Sequence, residues 1–405
     1  MSTVADAPPV IPGMPSRRRE GAVRRTTAAV PVGVTVDGHS GRGRSGDRPR
    51  ATEGPGTSDA PVVIGGRRLR PTAVFDTYWR FAVARQLLYF DRFRGMPAAQ
   101  PVDARPDGQD PILSAYRFTN CYRACDRVSQ FAIAPVSYPD GTRWPAGWDE
   151  RDVVFRVLLF KIFNKIGTWR ALEKRLGTIT WRDWQTEAAR AVLDAMWGRG
   201  ERLYSAAYVI PPPRLGGTRK HADHLLLLET LMADGLTAQV TAARSLREVF
   251  TALRSRRSLG DFLAYQFAID LNYSPVLDFS ENSFVAAGPG ARDGIRKCFG
   301  PDSRGIESQI ITWVTDTQQE HFARLGLSFP GLGGRRLHLI DCQNLFCEVD
   351  KYSRVAHPEI GGLSGRTRIK QHYRPDPAPL PTPWFPPKWG INDAVAAQLG
   401  ELARD

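Results

Sequence analysis

Ser258–Gly294 reads SLGDFLAYQFAIDLNYSPVLDFSENSFVAAGPGARDG. It divides into a tight turn at Gly260, an amphipathic helix, an extended approach to Asp278, and a Gly288-Pro289-Gly290 turn that opens another helix. The preceding Arg244–Arg257 is helix-favouring, so the local unit is helix, turn, helix. A glycine at such a turn permits φ > 0 and close backbone approach. The first amides of the second helix are then free to hold a phosphate. Asp278 follows Gly260 by eighteen residues, directly after the run Pro275-Val276-Leu277.

This layout resembles the helix-hairpin-helix DNA glycosylase superfamily. The resemblance implies an all-α fold of two helical lobes, with the hairpin on a DNA backbone and Asp278 facing an extruded nucleotide in the cleft. Ser258-Leu259-Gly260 carries one glycine where that superfamily carries two. Read without the resemblance, the same stretch is a helical turn followed by an N-capping aspartate.

The chain has 405 residues, enough for one large helical domain or two smaller ones. A formal charge of +13 and a pI near 9.8 favour a polyanionic partner. Five cysteines with no CxxC pair argue against a zinc ribbon or a four-cysteine iron–sulfur loop, and read as reduced thiols in a core. The sequence has no apolar run of spanning length and no signal-peptide layout, so a soluble, cytoplasmic, DNA-associated protein without membrane contact is expected.

Residues 1–70 are rich in Pro, Gly, Ser, Thr and Arg and lack periodicity, so a disordered basic tail is expected. Its clusters Arg17-Arg18-Arg19, Arg24-Arg25 and Arg67-Arg68 can add salt-screened DNA affinity. The main domain is expected over 71–390, starting at Pro71, and a short helix over 391–405. Phe75, Tyr78, Trp79, Ala82, Gln86 and Tyr89 recur at helical spacing and read as core. His221 and His224 lie three apart on one helix, with no matching cluster to make a metal site. The Pro-rich PLPTPWFPPKWGIN, with Trp384, Phe385 and Trp389, is expected to wrap back onto the domain.

Two polar ladders stand out. Asn120, Arg123, Arg127 and Gln130 recur at i, i+3, i+7 and i+10, predicting one polar stripe on a helix. These hydrogen-bonding types suit a wet groove or a phosphate cluster. Asp341, Asn344, Glu348 and Lys351 repeat the spacing. That second ladder is either a self-satisfied ion network or a set of metal-binding or acid–base groups.

YWRFAVARQ at 78–86, FTNCYRACDRVSQ at 118–130, the segment from Phe262 to Ile295, and QNLFCEVDKY at 343–352 together resemble the 5-hydroxymethyluracil DNA kinase family. That family is also described as α-glutamyl/putrescinyl thymine pyrophosphorylase-like and is associated with thymine hypermodification in phage DNA. The resemblance covers roughly residues 71–390. It implies phosphoryl transfer from ATP to the hydroxymethyl oxygen of 5-hydroxymethyluracil in double-stranded DNA, with the base flipped from the stack. In that reading Asp278 positions or deprotonates the hydroxyl. Arg123, Arg127, Arg292 and Lys351 are phosphate ligands, and Asn120 joins the catalytic group. Asp341 and Glu348 hold Mg²⁺. Gly260, Gln130, Gly288, Gly290 and Asn344 serve DNA or substrate binding, with backbone N–H groups of Gly288 and Gly290 offered to phosphate. The sequence contains no GxxxxGK[ST] loop and no protein-kinase HRD…DFG set, so spacing does not locate an ATP site. A monofunctional glycosylase and a non-catalytic DNA-binding protein are the alternatives.

Overall fold

The computed structural model describes residues 60–94, 110–141, 144–206, 210–374 and 380–404. Residues 1–59, with Arg17-Arg18-Arg19 and Arg24-Arg25, lie outside these, as does most of the loop after Arg94. Ordered structure begins before Pro71. Val62–Ile64 (β1) pairs antiparallel with Arg67–Leu69 (β2). The connection is Gly65-Gly66, with φ of 57° and 74°. Two left-handed residues are what a two-residue hairpin loop requires. Arg67 then donates to the carbonyls of Asp302 and Arg304, fastening the hairpin to the domain.

Fifteen α-helices follow among the described residues. They are α1 (Ala73–Asp91), α2 (Pro111–Ala115), α3 (Arg127–Phe131), α4 (Glu150–Phe163), α5 (Ile166–Leu176), α6 (Thr186–Gly198), α7 (Lys220–Ala233) and α8 (Leu236–Thr241). The chain continues through α9 (Leu246–Arg254), α10 (Asp261–Tyr273), α11 (Pro289–Phe299), α12 (Glu307–Asp316), α13 (Gln318–Arg324), α14 (Leu339–Ala356) and α15 (Asn392–Leu402). The all-α expectation holds, apart from the small hairpin. None of these helices is long and apolar enough to cross a membrane.

Within the quoted stretch α10 is buried in the core rather than amphipathic. Every residue from Leu263 to Tyr273 is buried, so Gln266, Asp270 and Asn272 must find partners inside the protein. Helix α4 is likewise buried from Asp152 to Phe163. The α1 aromatics are core, as expected: Phe75 and Trp79 pack with Phe299, Trp313, His321 and Phe322.

The turn between α9 and α10 also differs from its expected chemistry. Gly260 has φ −69° and serves as the N-cap of α10. The left-handed residue is Ser258, at φ 65°. A Cβ added at Gly260 would meet nothing within 4 Å, so neither backbone conformation nor internal packing demands glycine there.

Helices α11 and α14 are in unusually close contact. A Cβ at Gly294 would fall 2.0 Å from the carbonyl oxygen of Phe346, and one at Gly290 would lie 3.1 Å from Cys347 Sγ. Gly288 faces the Phe262 ring, 2.7 Å from its would-be Cβ. The Gly-Pro-Gly glycines therefore admit neighbouring side chains and backbone, which is a different role from the phosphate cradle expected of them.

Candidate functional site

The two polar ladders meet, and the second one holds the first. Residues 117–126 do not form the predicted helix. They run extended into a 3₁₀ turn at Arg123–Cys125, and α3 begins only at Arg127. Asn120 explains part of this. Its backbone N–H donates to Asp126 and its side-chain amide to the Cys125 carbonyl, a local bonding pattern that competes with helix. Arg85 on α1 adds bonds to the Thr119 carbonyl and to Asn120 Oδ1.

The second ladder is helical as expected, on α14. Asp341 Oδ1 accepts from the Arg123 amide at 2.9 Å, and Asn344 Nδ2 donates to the Asn120 carbonyl at 3.1 Å. Glu348 Oε2 accepts from the Thr119 amide at 3.0 Å and pairs with Lys351 at 2.6 Å, while Lys351 sits over the Phe118 ring. This is the self-satisfied network among the alternatives, with an irregular segment as its partner. Replacing Glu348 by alanine removes the charged acceptor of the half-buried Thr119 amide, and is expected to cost about 1–2 kcal/mol. The check is urea unfolding together with amide exchange, in which Thr119 should lose protection in the variant.

The metal assignment is corrected by the same contacts. Asp341 and Glu348 are committed to amides and to Lys351, and among the described residues no group of three or more His, Cys, Asp or Glu is placed to hold a metal ion. Mg²⁺ does not fit this pair.

Arg123 is the pivot of the site, and it is buried. Its guanidinium contacts Asp270 at 2.6 Å and Gln266 at 3.1 Å, and lies over the Tyr273 ring. Asp270 also pairs with Lys161 of α4 at 2.8 Å. Burial would raise the Asp270 carboxyl, but Arg123 and Lys161 outweigh it and hold the group below the usual carboxylate range. Burial lowers the Lys161 ammonium to about 8, against the pull of Asp270. From Gln266 the contacts continue to Gln343 at 3.5 Å, from Gln343 to Cys347 Sγ at 3.2 Å, and from Cys347 to the Ala291 amide at the start of α11. Arg123 is thus an internal strut and cannot reach a phosphate in this state.

A second charged group surrounds the start of α14. Glu281 pairs with Arg335 and lies 3.5 Å from His338 Nδ1. Burial raises the Glu281 carboxyl, yet His338 and Arg335 together hold it below its ordinary value. Burial, followed by the Glu281 charge, pushes neighbouring Asp341 up to about 6. The Arg335 guanidinium covers Trp389, which the Pro-rich segment brings back as expected. Beside this group an open pocket of about 520 Å³ is lined in part by Arg247, Asn282, Ser283, Gln309, Trp313 and Leu339. That volume is in the range of small-molecule sites.

The remaining predicted residues divide by exposure. Asp278 is exposed just beyond α10, beside Tyr138 and Lys388. Arg127 and Arg292 are also at the surface. Gln130 has a structural task, bonding the Ala124 carbonyl and the Trp384 amide. His221 and His224 are buried and bonded to Asp194 and to Tyr204 and Pro211 respectively. Asp270, Glu281, Arg335, His338 and Lys388 were missed in the sequence, because nothing in local spacing pairs groups from such distant segments.

A family model described as "5-hmdU DNA kinase, helical domain" matches residues 72–362. The chain belongs to this family. The match takes in α1, both ladders, the α9–α10 unit and α14. A curated relative, a "5-hmdU DNA kinase" of Bacillus phage SP10, is 24% identical over 324 residues, covering 75% of this chain and 49% of the relative. The chain thus spans about half the length of the relative it matches. No solved structure matches it. Within the 5-hmdU DNA kinase family, the helical-domain model begins at the N-cap of α1, Thr72, leaving the β-hairpin outside.

Proposed function

We propose that this protein acts in a DNA base kinase reaction, moving the γ-phosphate of ATP to the hydroxymethyl oxygen of 5-hydroxymethyluracil in double-stranded DNA. The observation that carries the reading is the family match across 72–362, supported by the name of the phage relative. The pyrimidine is extruded so that its hydroxymethyl group becomes reachable. Its oxygen forms a new bond to the γ-phosphorus, the bond from that phosphorus to the β,γ-bridging oxygen breaks, and ADP leaves. Asp278, an exposed carboxylate on the short loop after a rigid buried helix, receives the hydroxyl proton and passes it to solvent.

Arg127 and Arg292 are surface cations available to DNA or nucleotide phosphates. The α9–α10 turn, with the open Gly260, is the expected contact for a DNA backbone. Arg123 and the α14 ladder contribute rigidity: they fix the segment leading to Arg127. Asp341 and Glu348 accept from the Arg123 and Thr119 amides and so are not offered to Mg²⁺.

Asp278→Asn tests the assignment of the base. It is expected to lower kcat by about 10²–10⁴ with DNA affinity unchanged, measured as phosphate transfer beside a binding titration. A wild-type kcat would remove Asp278 from the chemistry.

A further inference from the structure

Lys388 occupies a position that neither the family match nor the proposed reaction assigns. Its Nζ donates to the carbonyl oxygens of Asn272 at 2.6 Å and Ser274 at 2.8 Å, and also to that of Leu277. Three ammonium N–H groups thus meet three carbonyls at the C-terminal end of α10. Those carbonyls are the ones the helix itself leaves unsatisfied or that follow directly in the turn, where a positive charge is favoured by the helix dipole. The set of converging oxygens is that of a small monovalent cation, with a tethered ammonium in its place.

The cage is joined to Asp278 from both sides. Leu277, whose carbonyl closes it, immediately precedes Asp278. Asn272, whose carbonyl opens it, uses its side chain to bond both the N–H and the carbonyl of Phe279, each at 2.9 Å. Asp278 is therefore bracketed between two points that Lys388 and Asn272 fix. Lys388 is itself anchored by its own segment. Trp384 is tied to Gln130, Phe385 exchanges two hydrogen bonds with Asn392, and Trp389 meets Tyr273 edge-on while Arg335 covers its face.

We infer that Lys388 is a built-in monovalent cation whose ammonium closes the carbonyl cage ending α10, and that it is thereby the positioning residue for Asp278. The positioning half rests on the function proposed for Asp278; the cage half does not. Removing the ammonium leaves an oxygen cage able to take a free cation of similar size, so the loss is open to chemical rescue.

The test compares full-length Lys388→Met with wild type in choline, potassium and ammonium chloride at equal ionic strength. In choline the variant is expected to melt lower than wild type and to show a kcat reduced at least severalfold, with KM for a 5-hydroxymethyluracil duplex unchanged. Ammonium, and to a lesser degree potassium, should restore part of both losses, while wild type should not distinguish the salts. A melting deficit indifferent to the cation overturns the cage. A wild-type kcat in choline overturns the positioning role. Should wild type transfer no phosphate, the proposed reaction fails and the melting comparison alone still decides the cage. Lys388→Gln, whose amide keeps two donors without charge, covers the case in which the methionine variant does not fold. For it, lowered kcat at constant KM supports positioning and unchanged kcat overturns it.

Discussion

Replacing Asp270 by alanine is expected to destabilise the protein by about 3–5 kcal/mol, because Arg123 and Lys161 then share a buried site with no counter-charge. Both cations are nearly sequestered from water, and Asp270 is the carboxylate that contacts both. The comparison is the exposed pair Glu187–Arg190, whose loss should change stability by no more than about 0.5 kcal/mol. Chemical unfolding at about neutral pH separates the two cases.

The pH dependence of the Asp270 variant gives a second, signed expectation. The folded Lys161 ammonium is held at about 8, below its ordinary 10.5. Between those values the unfolded chain binds more protons, so this group makes stability rise with pH. Loss of Asp270 removes the partner that favours the ammonium and lowers its pKa further. The deficit of Asp270→Ala should therefore shrink as pH rises towards about 8, where wild type still holds the Lys161 proton and the variant has lost it, and level off above that. In wild type, the depressed Asp270 carboxyl contributes stability that is present above the ordinary carboxylate pKa and lost as pH falls through its folded value. A deficit that is constant or grows with pH would show that Lys161 is not the uncompensated group.

Gly294→Ala is the second large effect expected. The added Cβ would stand 2.0 Å from the Phe346 carbonyl oxygen, a backbone atom in the middle of α14 that has no rotamer by which to withdraw. Helices α11 and α14 would have to separate, disturbing the Cys347–Ala291 contact and the ladder beyond it. A cost of about 3 kcal/mol or more is expected, well beyond the helix-propensity gain of about 1 kcal/mol that alanine brings. Thermal melting and the yield of folded protein report it. An alanine variant as stable as wild type would mean that the two helices are not packed this closely.

What was legible in the sequence was governed by local pattern. The α14 ladder and the α1 aromatic stripe are single-helix periodicities, and both emerge as read. Asn120–Gln130 shares the same spacing but not the helix, because Asn120 and Asp126 satisfy nearby backbone groups and α14 supplies the remaining partners. Polar spacing cannot distinguish side chains that project from a helix from side chains that replace its hydrogen bonds. Val62–Leu69 was hidden for the opposite reason: its Gly-Gly hairpin signal lies in a stretch whose composition reads as tail. Gly290 and Gly294, four apart on α11, carried a visible packing signature that the phosphate reading of the Gly-Pro-Gly turn displaced. Lys161–Asp270 and Lys388 with the Asn272 carbonyl are pairings across more than a hundred residues, created only by the packing of α4, α10 and the returning C-terminal segment.

The most direct test of the central claim is product analysis. A duplex carrying 5-hydroxymethyluracil is incubated with the protein, ATP and Mg²⁺, digested to nucleosides and examined by mass spectrometry. The proposed reaction predicts a phosphorylated 5-hydroxymethyl nucleoside that requires ATP and retains its glycosidic bond. Free base and abasic sites formed without ATP, or an unaltered modified nucleoside in DNA that the protein demonstrably binds, would contradict it.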